Sequence, residues 1–288
     1  ATHELVVPKS IPIIFPIIIF LILIISEFCP DLLNCYAKRD LLTGWQFTGL
    51  FIFATMSYLA DNPIAQRILY EDNHLLVINK LPGEIVQGDK TGDMPLSELL
   101  KEYIKKRDAK PGNVFMGVPH RLDRPVSGIC IFAKTSKALE RLNRMFREGE
   151  VHKTYLALVS KRPPADKALL THFIWRNEKQ NKSYARETPA EGTREARLRY
   201  RYLESTRNYH LLEIELLTGR HHQIRCQLAA IGCPIKGDLK YGARRSNPDG
   251  SISLHAYSVT FEHPVKKEPL VITAPWDPFR DSQSNPRP

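Results

Sequence analysis

From Ile68 onward the apolar positions fall into short runs at the strand period, interrupted by three stretches at the helix period. Leu75-Leu76-Val77-Ile78 and Ile129-Cys130-Ile131-Phe132-Ala133 are continuous apolar runs too short for helices, and each predicts a buried strand. Tyr155–Ser160, Ala196–Leu203, His210–Leu217 and Leu254–Phe261 predict four more. In one of these, Leu198, Tyr200 and Tyr202 alternate with Arg197, Arg199 and Arg201; in another, Glu213 and Glu215 interrupt apolar neighbours. Such alternation implies one dry face and one wet face. Helices are predicted over Leu96–Ile104, over Ser136–Arg147 and through Ile224, Leu228 and Ile231 to a stop at Gly232. The second is the clearest. Ala138, Leu139, Leu142, Met145 and Phe146 form its apolar stripe, Arg141, Arg144 and Arg147 recur beside it, and Gly149 marks its end. The arginine row reads as a solvated face, with a phosphate contact as the alternative. Trp175–Gly192 carries Lys179, Lys182 and Arg186 without periodicity and reads as a flexible surface loop. Many strands with few helices, in irregular order, predict an α/β fold of the mixed α+β kind: a large, antiparallel-rich mixed sheet with helices packed on it.

The beginning of the 288-residue chain does not fit this picture. Ile11–Ile25 is apolar but for Pro12 and Pro16, shorter than the roughly 20 residues of a membrane-spanning helix and without an evident cleavage site. Composition turns ordinary at Met56. Residues 1–55 are therefore expected to be a leader outside the mature protein, with a membrane anchor as the second reading, and residues 56–288 to form the functional domain. The chain carries 41 Lys and Arg against 31 Asp and Glu. Three of the basic and four of the acidic residues lie in the leader, leaving a surplus of 11 positive charges after it. A surplus of that size favours a polyanion, because neutralising phosphates releases counterions. The five cysteines form no CxxC and are odd in number, which argues against a disulfide framework and for a reducing, cytoplasmic setting.

Candidate chemistry centres on His120-Arg121-Leu122-Asp123-Arg124-Pro125-Val126-Ser127-Gly128. Asp123 lies between Arg121 and Arg124, and nearby positive charge favours the ionised form, ready to serve as nucleophile or base. The alternative is an ion pair within a turn. No phosphate-binding GxxxxGK[ST] or GxGxxG loop occurs, and the adjacent His221 and His222 lack the spacing of a zinc pair. They are read as RNA-facing or capping groups.

The nine-residue stretch resembles the HRLDxxTSG signature of the RluA-type pseudouridine synthases, with Val126 in place of the usual Thr. Three further blocks are similar, in the family's order. They are Ile68–Gly83, with Tyr70-Glu71-Asp72 and Asn79-Lys80; Lys153-Thr154-Tyr155; and Thr218-Gly219-Arg220-His221-His222-Gln223-Ile224-Arg225 followed by Gly232–Asp238. A second departure is Gln227, where His is common. The resemblance implies a central catalytic cleft and isomerisation of uridine to pseudouridine in transfer or ribosomal RNA, by a monomer, without metal or other cofactor. Residue by residue it implies that Asp123 is the catalytic acid, that Tyr155 stacks on the target base and that Arg225 pairs with the carboxylate. Arg121, Arg220 and Lys80 would shape the pocket or hold phosphate. Attack on the base, attack on the sugar and removal of the 2′ proton are all open to Asp123. A non-catalytic RNA-binding protein is the competing class; the basic surplus fits it equally, but binding alone needs no buried acid.

Overall fold

Strand-forming segments from distant parts of the chain build one ten-stranded sheet in the computed structural model, which describes residues 63–89 and 91–278. The expected leader, residues 1–55, lies outside the described residues. In chain order the strands are β1 (Ile68–Glu71), β2 (Leu75–Lys80), β3 (Ser127–Ala133), β4 (His152–Val159), β5 (Lys167–Asn177), β6 (Lys182–Arg186), β7 (Arg194–Ser205), β8 (His210–Leu216), β9 (Leu254–Glu262) and β10 (Pro269–Thr273). Across the sheet the order is β1-β2-β3-β9-β4-β8-β7-β5-β6, with β10 also on β9. Helices α1 (Leu96–Arg107), α2 (Ser136–Glu148) and α3 (Gln223–Ala230) complete the mixed α/β architecture anticipated from the pattern. Among the described residues no helix is long and apolar enough to cross a membrane.

The continuous apolar runs are the innermost strands. Leu75 to Ile78 on β2 are fully buried, as are Cys130, Phe132 and Ala133 on β3. Helix α2 packs on β3 through Ala138, Leu142 and Met145; Thr135 caps its first turn by accepting from the Ala138 N–H, and Gly149 ends it at φ 78°. On β7, Ala196, Leu198 and Tyr200 face inward. The arginines between them meet glutamates across the strand pair, Arg199 with Glu215 at 3.1 Å and Arg201 with Glu213 at 2.9 Å.

One expectation is overturned. Trp175–Gly192 is not a flexible loop: Trp175 to Asn177 end β5, and Lys182–Arg186 return antiparallel as β6, Trp175 opposite Tyr184. The hairpin escapes a hydrophobicity pattern because its inward residue on β6 is Ser183, fully buried yet polar. Hydrogen bonds replace apolar area there: the Ser183 N–H donates to Tyr241 Oη at 2.8 Å, and its Oγ lies 2.8 Å from His221 Nδ1.

β3 and β9 pair in parallel, in a sheet whose other pairings are antiparallel, through Ser127 opposite His255 and Gly128 opposite Ala256. Ala256 also pairs with Tyr155 on β4, where the register slips between Thr154 and Tyr155. The segment carrying Asp123 and the strand carrying Tyr155 thus meet over one residue. Gly128 makes this possible: it adopts φ 111°, and a Cβ there would collide with the Ala256 backbone. Gly128→Ala is expected to destabilise the protein by about 3 kcal/mol, combining left-handed strain with overpacking. Urea unfolding of the two proteins measures it.

Candidate active site

Asp123 sits on a short irregular segment leading into β3, and three tethers fix that segment. His120 Nε2 accepts the Ile131 N–H at 2.9 Å; burial pushes its pKa down to about 3, so the ring is a neutral acceptor. The fully buried Lys80 ammonium donates to the carbonyls of Leu81, Arg124 and Val126 at 2.9, 3.2 and 2.6 Å. Burial lowers the Lys80 pKa to about 8, but three carbonyl acceptors still favour the ammonium at neutral pH. The Gly83 N–H holds the Arg124 carbonyl as well. Of the two roles expected for Lys80, the phosphate contact does not fit, because its donors are engaged inside the protein; they shape the segment that carries Asp123.

The flanking arginines do not hold Asp123. Arg124 turns outward to pair with Asp93, and Arg121 is exposed. The cation at the carboxylate is Arg225 on α3, whose Nη1 donates to Asp123 Oδ2 at 3.0 Å. Arg225 is itself clamped. Its Nε and Nη2 donate to the two oxygens of Asp238 at 2.7 and 2.9 Å, and both residues are almost completely buried. Burial alone would lower the pKa of Arg225, yet Asp238 and Asp123 outweigh it and raise the pKa above the ordinary value. One guanidinium therefore serves two carboxylates, and the uncompensated negative charge resides with Asp123, whose side chain keeps 29% exposure. Among the described residues no hydrogen bond is made to its other oxygen, Oδ1.

The start of α3 is organised by Gln223. Its Oε1 accepts from Thr218 Oγ1 at 2.8 Å and from the Arg220 N–H at 2.9 Å, and its Nε2 donates to the Arg197 carbonyl at 3.0 Å. This closes the turn and directs Arg225, two residues on, toward Asp123. Arg220 lies at the surface with Nε on the Glu195 carbonyl. Tyr155 is buried at 7% exposure; burial, with the Asp123 charge as a second cause, raises its phenol pKa. With His120, Ile129, Phe146 and Lys153 it lines a small pocket.

Four contributors lack, in the sequence, the role the structure gives them: Asp238, His222, Tyr241 and Ser183. Asp238 had a signal, since it closes the Gly232–Asp238 block, but its burial against Arg225 is a tertiary fact. Of the two histidines, His222 is not a capping group, and it is buried rather than facing outward. His222 stands at the N-cap position of α3 with φ 52° and makes no side-chain cap bond; it is buried and stacks on His221 at 3.8 Å. Among the described residues no three His, Cys, Asp or Glu side chains gather as a metal-binding group. Cys130 and Cys226 are buried, which pushes each thiol up to about 12 and keeps it protonated. The two departures from the family pattern fall outside this chemistry. Val126 is buried packing, and Gln227 joins α3 to the carbonyls of Leu170 and Ala196.

The sheet thus brings a clamped, partly exposed carboxylate and a buried tyrosine together as a candidate site. The sequence model for RNA pseudouridylate synthase matches residues 74–230. The ribosomal large subunit pseudouridine synthase C of Buchnera aphidicola is 33% identical over 220 residues, 73% of this chain and 67% of that protein. Its Vibrio cholerae counterpart is 35% identical over 214 residues, 72% and 65% of the respective chains. The chain thus spans about two thirds of the length of these curated relatives. Among solved structures, human RNA Pseudouridylate Synthase Domain Containing 4 shares the fold at a TM-score of 0.63 and 22% identity, over 79% of this chain and 94% of that one. The chain belongs to the RNA pseudouridylate synthase family.

Arg225→Ala is expected to cost about 3–5 kcal/mol of stability, because it leaves the buried Asp238 charge unpaired. Removing Asp238 as well, in Arg225→Ala with Asp238→Ala, is expected to restore part of that loss. Equilibrium unfolding of the single and double variants supplies the comparison.

Proposed function

We propose that this chain isomerises a uridine of large-subunit ribosomal RNA to pseudouridine, with Asp123 as the reacting carboxylate, Arg225 as its orienting cation and Tyr155 as the stacking platform for the base. The observation that carries the reading is the Asp238–Arg225–Asp123 arrangement, which holds the Asp123 carboxylate partly exposed, with Oδ1 unbonded among the described residues. A base must leave its stack before chemistry on it, and an aromatic face stabilises the extruded state. The N1–C1′ bond breaks, the retained uracil turns, and a C5–C1′ bond forms. C5 gives up its proton and N1 gains one, so nothing is oxidised and no group enters or leaves overall. Attack on the base, attack on the sugar and removal of the 2′ proton all start from the same free oxygen. The ribosomal substrate is supported by the names of the relatives.

In this reading residues 56–288 form the catalytic domain, acting as a monomer in a reducing cytoplasm, which the buried free thiols of Cys130, Cys226 and Cys233 favour. Arg121 and Arg220, both exposed near the site's two carrying segments, contact the RNA backbone. No cofactor takes part.

Asp123→Asn is expected to abolish tritium release from C5-labelled uridine in ribosomal RNA while RNA affinity stays within about twofold. Near wild-type release by this variant refutes the catalytic role. Tyr155→Phe keeps the ring and is expected to retain more activity than Tyr155→Ala. The basic surplus gives a separate outcome. RNA affinity is expected to fall about tenfold or more between roughly 50 and 200 mM salt, as for a few neutralised phosphates, and a flat salt titration contradicts it.

A further inference from the structure

Behind Asp123 lies a chain of buried polar groups that the proposed reaction does not yet use. The Ser183 N–H on β6 donates to Tyr241 Oη at 2.8 Å, and Tyr241 Oη lies 2.9 Å from His222 Nδ1. The phenol, kept protonated by burial, has one proton to give; directed to His222 Nδ1, it makes that nitrogen an acceptor, the tautomer on which the inference rests. A neutral imidazole that accepts at Nδ1 carries its proton at Nε2. Burial first, then the positive charge of Arg225, lowers the His222 pKa to about 2, so the ring is neutral at any working pH. Its contact with Asp123 is accordingly that of a neutral donor facing a carboxylate, not an ion pair. Nε2 stands 3.5 Å from Asp123 Oδ2, the same oxygen that takes Arg225 Nη1.

We propose that His222 is a positioning residue for Asp123, its Nε2–H closing onto Oδ2 when RNA binds and thereby leaving Oδ1 as the reactive oxygen. At 3.5 Å the contact is too long for a good hydrogen bond in the free protein. Contacts of this kind commonly tighten only in the substrate complex. The backbone shows what the position demands. His222 is held at φ 52°, a left-handed conformation that an ordinary side chain adopts at a cost, and the ring is locked between His221 and Tyr241. Ser183 grips both ends of this assembly, bonding His221 through Oγ and Tyr241 through its N–H. The β5–β6 hairpin therefore bears directly on the orientation of the donor facing Asp123.

The inference rests on the proposed role of Asp123, and the experiment separates the two. Tritium release is measured across RNA concentrations up to saturation for His222→Asn, His222→Gln and Tyr241→Phe, beside RNA affinity and thermal unfolding. Asn tolerates the left-handed backbone but is too short to reach Oδ2; Gln can place an amide N–H near the position of Nε2. His222→Asn is expected to stay folded and bind RNA within about twofold of wild type, with kcat lowered about tenfold or more. His222→Gln is expected to recover most of that kcat. Tyr241→Phe, which frees the ring to change tautomer, is expected to lower kcat with little change in KM. Wild-type kcat in His222→Asn, or His222→Gln no better than His222→Asn, overturns the positioning role. If Asp123→Asn is inactive while this happens, only the His222 inference fails; if Asp123→Asn is active, the catalytic reading itself fails.

Discussion

The structure around the candidate site depends on one guanidinium shared between two carboxylates. Burying an ion without a partner is costly, and a buried pair is sustained only by good geometry and satisfied hydrogen bonds. Arg225 meets that condition with Asp238, which takes Nε and Nη2 in a two-pronged pairing deep in the protein. The pairing fixes the guanidinium plane, so Nη1 has one direction left, toward Asp123. Asp238 thus sets the aim of the cation, and Asp123 receives an orienting partner without being neutralised by a dedicated one. Preorganised donors of this kind do not have to reorient as the reaction proceeds.

The segment that carries Asp123 obeys the same logic by different means. Segment 120–126 has no regular hydrogen-bond ladder of its own, so its carbonyls must find donors elsewhere. The Lys80 ammonium and the Gly83 N–H supply them from the end of β2 and the turn beyond it, while His120 returns to the β3 backbone. A lysine at such a position looks from sequence like a phosphate ligand, because its acceptors are main-chain oxygens that no side-chain pattern reveals. The same limit hid the partner of Asp123. Arg121 and Arg124 are adjacent in sequence, yet a partner more than 100 residues away occupies the carboxylate, since chain direction through the turn sends Arg124 to Asp93.

What was legible follows from where hydrophobicity does the work. β2, β3 and α2 are defined by apolar burial, and the two continuous apolar runs and the helical period of α2 located them to within two residues at each end. β6 is defined by Ser183 and its hydrogen bonds, and β5 carries apolar residues on its outer face too, including the exposed Leu169 and Trp175, so neither showed a usable alternation. The site residues Asp123, Tyr155 and Arg225 stood out through the ordered sequence blocks. Asp238 and His222 lie within those blocks and Tyr241 outside them, but all three act through tertiary contacts that the blocks do not mark.

Net charge behaves similarly. The surplus of basic residues suggested a polyanion partner but gave no location for it. On β7 the most conspicuous arginines, Arg199 and Arg201, are matched by Glu215 and Glu213 across the ladder, so they contribute to sheet pairing at the surface rather than to a free positive field. Arg121 and Arg220, less conspicuous in the sequence, stand exposed beside the segment that carries Asp123 and the turn that leads to Arg225. A polyanion approaching the sheet meets compensated charge over β7 and β8, and uncompensated guanidinium where the chain presents Asp123. Electrostatic attraction and the Asp123 carboxylate are brought to the same place because two turns, one before β3 and one before α3, are tied together by the Asp123–Arg225 contact.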